Sequence, residues 1–150
     1  MANNYPSWWN TTVTLFNKYE DPTSQLITWY KTVIDGCFWS NIQDRVKIGK
    51  TVLETDSIIC RIRKDERYKD IEEWLVLPSD LKANYFTLRN QDILIKGEVE
   101  DTINEYQSGS RSTDVLAKYK RLQKCLEVAQ FADNTGGGRG NEHYYVKGVE

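Results

Sequence analysis

The chain has 150 residues, of which 39% are hydrophobic and 12% are aromatic, with five Trp and nine Tyr. This length and composition fit one folded domain with a hydrophobic core, and they exclude a disordered chain. The formal net charge of −2 gives no general electrostatic drive toward nucleic acid or anionic lipid.

The three cysteines, Cys37, Cys60 and Cys125, are widely spaced and odd in number, which is not the pattern of a disulfide framework. We therefore expect reduced thiols in apolar surroundings. The first ten residues lack a basic segment followed by an apolar one, and no apolar run approaches membrane-spanning length. The sequence predicts a soluble protein that is made in a cytoplasm and has no membrane partner.

The first part of the chain predicts three strands. Residues 11–17 alternate Thr and Val with larger apolar side chains, which is typical of a strand. Two β-prone runs, 26–34 and 37–41, flank the dipeptide Asp35-Gly36. This dipeptide favours the positive φ angles of a type I′ turn, so the two runs are predicted to pair as a hairpin.

The middle of the chain has a mixed pattern. Residues 43–56 are polar and predict a loop or a distorted ribbon. Residues 57–63 alternate as a strand does, with Ile58, Cys60 and Ile62 on one face. The densely charged stretch 64–70 is predicted to be solvated. Pro78-Ser79-Asp80 opens one predicted helical turn, and 85–97 read as two short strands around a polar turn.

One amphipathic helix is predicted at 112–123, capped by Ser112 or Thr113. Its apolar residues recur at spacings of three and four and form one stripe that continues into the following strand. The stripe consists of Val115, Leu116, Tyr119, Leu122 and Leu126. The opposite face is basic and carries Lys118, Lys120, Arg121 and Lys124.

Two further strands, 125–132 and 143–148, flank a glycine-rich loop. Six or more short strands and one helix predict a mainly β fold, a small β-barrel or sandwich with one packed amphipathic helix. We expect a single domain over 1–150. It divides into an N-terminal arm at 1–10, a β-rich core with the helix at 11–132, a glycine-rich loop at 133–142 and a closing strand at 143–148.

The glycine-rich loop does not have the pattern of a phosphate-binding loop. Such a loop needs Lys-Ser or Lys-Thr after the glycines and a helix whose amides point at the phosphate. Here the glycines precede a predicted strand rich in aromatic residues. We therefore predict a flexible hairpin loop, with Arg139 at its tip positioned to touch a partner or a nucleic-acid backbone.

No catalytic residue, metal site or cofactor is predicted. His143 is the only histidine, and a Cys–His nucleophile would need Cys125 beside it. The cysteines lack the close pairs of a zinc site. A small hydrolase that uses His143 stays open as an alternative.

Nucleic-acid binding is a second alternative. The basic helix face between Lys118 and Lys124 has the charge to meet phosphates, although it is also what the polar side of an amphipathic helix looks like. Tryptophans at Trp8, Trp9 and elsewhere have rings that stack on bases in single-strand binders. At strand spacing such rings more often belong to a core or a subunit interface.

Four phrases carry a resemblance to a known family, and they cover most of the chain from about residue 11. They are T-V-T-L-F-N-K, W-Y-K-T-V-I-D-G-C-F-W, Y-F-T-L-R-N-Q-D-I-L-I-K-G-E-V and D-N-T-G-G-G-R-G-N-E-H-Y-Y-V-K-G. In this order the chain resembles the head-closure or head–tail joining proteins, also called connector or stopper proteins, of tailed siphophages.

The resemblance implies a structural virion protein and no enzyme activity. Such proteins form a ring of identical subunits in the neck, below the portal or its adaptor and above the tail or tail-terminator protein. Genomic DNA leaves through the channel of the ring. A tail-terminator or another connector ring protein is the alternative within this class, and a single-stranded nucleic-acid binding β-barrel is the alternative from another class.

Two sets of residues are predicted to serve such a ring. Channel-facing or gating loops would carry Arg45, Lys47, Lys50, Gly136, Gly137, Gly138 and Arg139. Subunit contacts would involve Glu98, Glu100, Asp101, Lys118, Arg121, Trp8 and Trp9. The acidic run 98–105 and the basic face 118–124 would be complementary between neighbours.

Overall fold

The computed structural model describes residues 5–136 and 142–149, with the side chains of 42–48, 51–56 and 149 outside the description. The described strands close into an antiparallel barrel in the order β1-β2-β3-β6-β5-β4. Their bounds are β1 Thr11–Glu20, β2 Ile27–Ile48, β3 Thr51–Arg63, β4 Ile93–Lys96, β5 Cys125–Asn134 and β6 His143–Val149. The helices are α1 Ile71–Leu75, α2 Ser79–Lys82 and α3 Ser112–Lys120. The prediction of a small, mainly β barrel with a helix is confirmed.

The predicted hairpin at Asp35-Gly36 is wrong. Strand β2 runs through this dipeptide without reversing, and it pairs first with β1 and then with β3. The β1–β2 register shifts here, because Val13 pairs with Ile34 and Thr11 with Cys37. Gly36 has φ +71°, so the positive φ angle serves a β-bulge at a corner of the barrel and not a turn.

The polar stretch 43–56 is a regular β-ribbon. β2 and β3 pair without a register shift from Phe38↔Arg61 to Ile48↔Thr51, and Gly49 has a φ of +62° in the turn between them. β3 pairs with β6 only from Ser57 onward. The sequence predicted a loop or a distorted ribbon here. A ribbon is present, but its register is regular and not distorted.

The barrel interior is filled by alternate residues of the strands. The predicted inward face of β3, Ile58, Cys60 and Ile62, is almost fully buried. These side chains meet inward residues of the other strands, together with Phe86 and Leu88. The interior cluster includes Val13, Leu15, Ile34, Cys37, Leu94, Leu126, Val128, Tyr144 and Val146.

A second apolar cluster lies on the outer side of β1, β4 and β5, under α3. It joins Phe16, Ile93 and Ile95 of the strands to Val115 and Tyr119 of the helix. The predicted cap is wrong, since Arg111 is the N-cap residue and Ser112 the first helical one. The carboxylate of Asp114 accepts a hydrogen bond from the amide of Arg111 at 3.2 Å, and that of Glu105 accepts one from the amide of Ser112 at 2.8 Å. The helix ends at Lys120, earlier than predicted.

Helices α1 and α2 form a corner near the end of β1 that the sequence reading did not fully predict. Trp74 of α1 is fully buried, with ring centroids 6.1 Å from Tyr19 and 5.6 Å from Tyr30. Lys82, only 3% exposed, donates from Nζ to the carbonyl oxygens of Leu75, at 2.9 Å, and Leu77. The predicted helical turn after Pro78 is confirmed as α2, whereas α1 was not predicted.

Only one of the two predicted strands within 85–97 is present. β4 forms as expected, but Phe86 makes a single isolated bridge with Tyr68. The carbonyl of Thr87 accepts a side-chain hydrogen bond from Asn17, at 2.6 Å, in place of a strand partner. The prediction of a strand at the start of this range was wrong, because the backbone of Phe86 bonds to Arg67 and Lys69 whereas that of Thr87 bonds to the side chain of Asn17.

Candidate interaction surfaces

The ribbon formed by residues 42–48 and 51–56 has two open backbone edges. Within the part of the chain that the structure describes, 43–48 pair only with 51–56, and Ile42 pairs with Ser57 at the base of the ribbon. At about 3.3 Å per residue, 42–48 extend roughly 20 Å past the last rung that β3 shares with β6. Unpaired strand edges readily add a strand from another chain. The ribbon is therefore the main candidate for contacts with other subunits.

Three of the predicted channel residues lie on this ribbon. Lys50 is exposed in its turn. Arg45 and Lys47 belong to β2, and their side chains lie outside the described residues. In the sequence, 45–53 contain these three basic residues and no acidic one. The turn end of the ribbon therefore carries net positive charge.

The glycine-rich loop joins two antiparallel strands, as predicted. β5 and β6 pair up to Asn134↔His143, and Gly136 in the connection is exposed. Gly137, Gly138 and Arg139 lie outside the described residues. The element after the loop is the strand β6, so no helix amides are available there for a phosphate.

The predicted pairing of acidic and basic surfaces occurs within one chain for two of its residues. Lys118 Nζ lies 2.9 Å from Asp101 Oδ2, and the hydroxyl of Tyr119 donates to Asp101 Oδ1 at 2.7 Å. The bond from Tyr119 and the ion pair with Lys118 hold the pKa of Asp101 below its usual value. Glu98 and Glu100 are exposed.

Arg121 lies in an exposed turn that follows α3. Leu122, its neighbour, is 55% exposed. Gln123 has φ +55°, which ends the helical path and returns the chain to β5. We call residues 120–124 the basic turn, because Lys120, Arg121 and Lys124 surround Leu122.

The two predicted tryptophan contacts differ. Trp8 is 65% exposed, whereas Trp9 is buried against the barrel. The ring of Trp9 lies 5.4 Å from Tyr5 and 5.5 Å from His143, and its carbonyl accepts a hydrogen bond from Arg63. Tyr5 and Trp9 are thus packed on their own chain, and Trp8 is the member of the tryptophan pair that a neighbour can reach.

A cleft of about 720 Å³ lies beside α1, and we call it the α1 cleft. Its lining includes the apolar residues Tyr68, Ile71, Leu88 and Phe131. Asp70 and Glu72, both exposed, supply acidic groups to it, and Arg89 supplies one basic group. The sequence carries a signal for this surface, because I-E-E-W-L-V at 71–76 places acidic residues next to apolar ones.

The proposed Cys–His pair is not formed. Cys125 begins β5, where it pairs with Ile95, and His143 pairs with Asn134 at the other end of that strand. The two are separated by roughly 30 Å along β5. Among the described residues, no group of three or more His, Cys, Asp or Glu side chains could hold a metal ion. None of the described helices is long and apolar enough to cross a membrane.

A family model matches nearly the whole chain, over residues 8–149, and its description is "Family of unknown function (DUF6751)". The chain belongs to the DUF6751 family. The matched range takes in Trp8 and all six strands, so the barrel, the ribbon and the α1 cleft all lie within the DUF6751 region. No curated protein and no solved structure matches the chain.

Proposed function

We propose that this DUF6751 protein is a structural subunit of the neck of a tailed bacteriophage. Identical copies would form a ring that closes the head below the portal or adaptor and joins it to the tail. The supporting observation is the β2–β3 ribbon, whose open edges extend from a closed barrel. A rigid barrel suits a ring wall, and a strand pair with open edges suits contact with a neighbour.

The charge pattern agrees with a channel that DNA passes through. The net charge of −2 keeps the subunit from binding DNA tightly, whereas the turn end of the ribbon concentrates Arg45, Lys47 and Lys50. A few basic residues on an extended segment can touch phosphates transiently. The ribbon and the loop at 133–142 would then be the segments that order or gate on assembly.

The test is to shorten the ribbon in the phage or prophage that carries the gene. Ile42 and Ser57 are register partners, so an Asn-Gly turn can join them directly. We expect a folded barrel by circular dichroism, and lysates in which heads lose DNA or fail to join tails. Shortening 134–141 to a two-residue turn is the parallel test of the glycine-rich loop, and normal joining of heads to tails in that variant would remove the loop from the proposal. Normal infectivity of the ribbon variant, or absence of the protein from purified virions by mass spectrometry, would contradict the proposal.

One observation favours a second candidate, binding of single-stranded nucleic acid. Arg61 on the outer face of β3 lies 5.3 Å from the ring of Phe38 and 5.5 Å from the ring of Tyr145. Aromatic rings beside a guanidinium form a surface on which bases stack. The protein would be titrated with an oligonucleotide while its tryptophan fluorescence is measured. We expect salt-dependent binding that Arg61→Ala removes and Lys96→Ala does not.

A further inference from the structure

We propose that the basic turn of one copy docks into the α1 cleft of the neighbouring copy, with Leu122 against the apolar lining. The occupant of the cleft is thus a second copy of this chain. This inference rests on the proposed ring, because it names the surfaces through which identical subunits meet.

The basic turn is held in a fixed shape before any contact forms. The amides of Leu122 and Lys124 both donate to the carbonyl of Tyr119, at 3.1 Å, and the amide of Gln123 donates to that of Lys120 at 2.9 Å. These bonds present Leu122 to solvent with basic side chains on both sides. Because the turn is already ordered, docking costs little conformational entropy.

The α1 cleft has the complementary chemistry. Ile71 and Phe131, both half-buried, offer an apolar surface for Leu122 above the buried Leu88. In the same lining, Asp70 and Glu72 outnumber the one basic residue, Arg89. Beyond the cleft, the exposed side chains of Leu75 and Val76 extend the apolar surface, and Val76 is 81% exposed. An exposed apolar patch with charged residues around it is typical of a protein contact site.

The acidic run 98–105 is a weaker partner for the basic turn. Asp101 is held by Lys118 and Tyr119 of its own chain. Glu105 accepts hydrogen bonds from the amide of Ser112, at 2.8 Å, and the indole of Trp29, at 3.2 Å. Asp101 and Glu105 would have to leave existing partners, whereas Asp70 and Glu72 of the cleft are exposed, as Glu98 and Glu100 of the run are. The apolar lining beside Asp70 and Glu72, which can receive Leu122, therefore favours the α1 cleft.

The positions of the two surfaces suit a head-to-tail contact. The basic turn leads into Cys125, which pairs with Ile95, and Ile95 pairs with Thr14 near the start of β1. The α1 helix packs through Trp74 on Tyr19, near the end of β1. One copy can therefore present its turn while its cleft receives another turn. Repetition of such a contact closes a ring when the rotation allows it.

Charge reversal in the full-length protein tests the contact. One variant carries Arg121→Glu and Lys124→Glu, and the other carries Asp70→Lys and Glu72→Lys. Sedimentation velocity should show that each weakens self-association by about tenfold or more, and that high salt weakens the wild type. An equimolar mixture of the two should recover association, because alternating copies restore both contacts. Unchanged association of both variants would overturn the inference.

Cross-linking places the two surfaces next to each other directly. The three native cysteines are buried, so Glu72→Cys and Arg121→Cys each add one accessible thiol. After mixing, a short bis-maleimide should link the two variants, and it should link Glu100→Cys with Arg121→Cys much less. Preferential linkage through position 100 would overturn the docking site and leave the ring intact. If neither pair is linked and the protein does not self-associate, the docking inference is overturned. Absence of the protein from virions would separately overturn the proposed function.

Discussion

Asn17 donates a hydrogen bond from Nδ2 to Asp92 Oδ2 at 2.9 Å, and both side chains are fully buried. The same nitrogen donates to the carbonyl of Thr87 at 2.6 Å. The amides of Lys18 and Arg89 donate to the Asp92 carboxylate at 2.9 and 3.1 Å. This network fixes the turn before β4 to the middle of β1, beside the α1 cleft. Burial raises the pKa of Asp92 to about 6, even though these donors lower it.

Asn17→Ala is expected to lower the free energy of unfolding by about 2–3 kcal/mol at neutral pH. The substitution leaves the buried carboxylate of Asp92 and the carbonyl of Thr87 without this donor. Urea denaturation followed by circular dichroism measures the change. The matched control is Thr12→Ala, which removes a bond from the Thr12 hydroxyl to Asp35 that is exposed to solvent. A loss in Asn17→Ala no larger than in the control would contradict the prediction.

Asp92 should make the protein less stable as pH rises from about 4 to about 6. The carboxyl has a pKa of 3.8 in its ordinary state and about 6 in the fold, so the folded chain binds more protons in that window. The contribution of Asp92 to the free energy of unfolding therefore falls by on the order of 3 kcal/mol as pH rises through this window, and it levels off above it. Urea denaturation across this range should show that the wild type loses more stability with rising pH than Asp92→Asn does. Equal slopes in both proteins would disprove the assignment.

The sequence was informative where a local pattern determines the structure. Alternation predicted β1, the inward face of β3, and the strands on either side of the glycine-rich loop. It failed at Gly36, because a positive φ angle serves a reversing turn and a bulge equally well. Only the pairing of the same strand with two different neighbours decides between them. The Asn17–Asp92 bond joins residues 75 positions apart, and no local pattern reports such a contact.

The three thiols are expected to be unreactive in the native protein. Cys37, Cys60 and Cys125 are each 0% exposed, and a hydrogen bond with Cys37 together with burial raises the pKa of the Cys60 thiol. Thiolate formation and access are therefore both low. A colorimetric disulfide reagent should titrate no thiol in buffer and three in denaturant. Trp8→Cys serves as the control and should add one thiol that reacts at once, because Trp8 is 65% exposed. Rapid native reaction in the wild type would contradict the prediction.

Lys82→Met should loosen the corner between α1 and α2 and leave the barrel intact. Met retains the apolar stem, but it cannot donate to the carbonyls of Leu75 and Leu77 or place a cation 4.6 Å from the ring of Tyr19. We expect a loss of about 1–2 kcal/mol. Hydrogen exchange should be faster in 71–82 and unchanged in β3 and β6. The matched control is Lys69→Met, because the Lys69 ammonium lies 5.0 Å from the ring of Tyr85 at a less buried site. Equal exchange rates of 71–82 in the two variants would exclude this role of Lys82.

Gly148→Ala should strongly destabilise the barrel wall. Gly148 pairs with Ile58 on one side and with Val128 on the other, where the β5–β6 register shifts. A Cβ atom there would lie 2.6 Å from the carbonyl oxygen of Glu127 and 2.7 Å from Cβ of Leu126. The strands must move apart to admit it, so we expect a loss of about 2–3 kcal/mol. Gly136→Ala is the control: its added Cβ meets no described atom within 4 Å, so its unfolding free energy should change by less than about 0.5 kcal/mol. Thermal and urea denaturation measure the unfolding free energies. Equal losses in the two variants would show that β5 and β6 are not in this close contact.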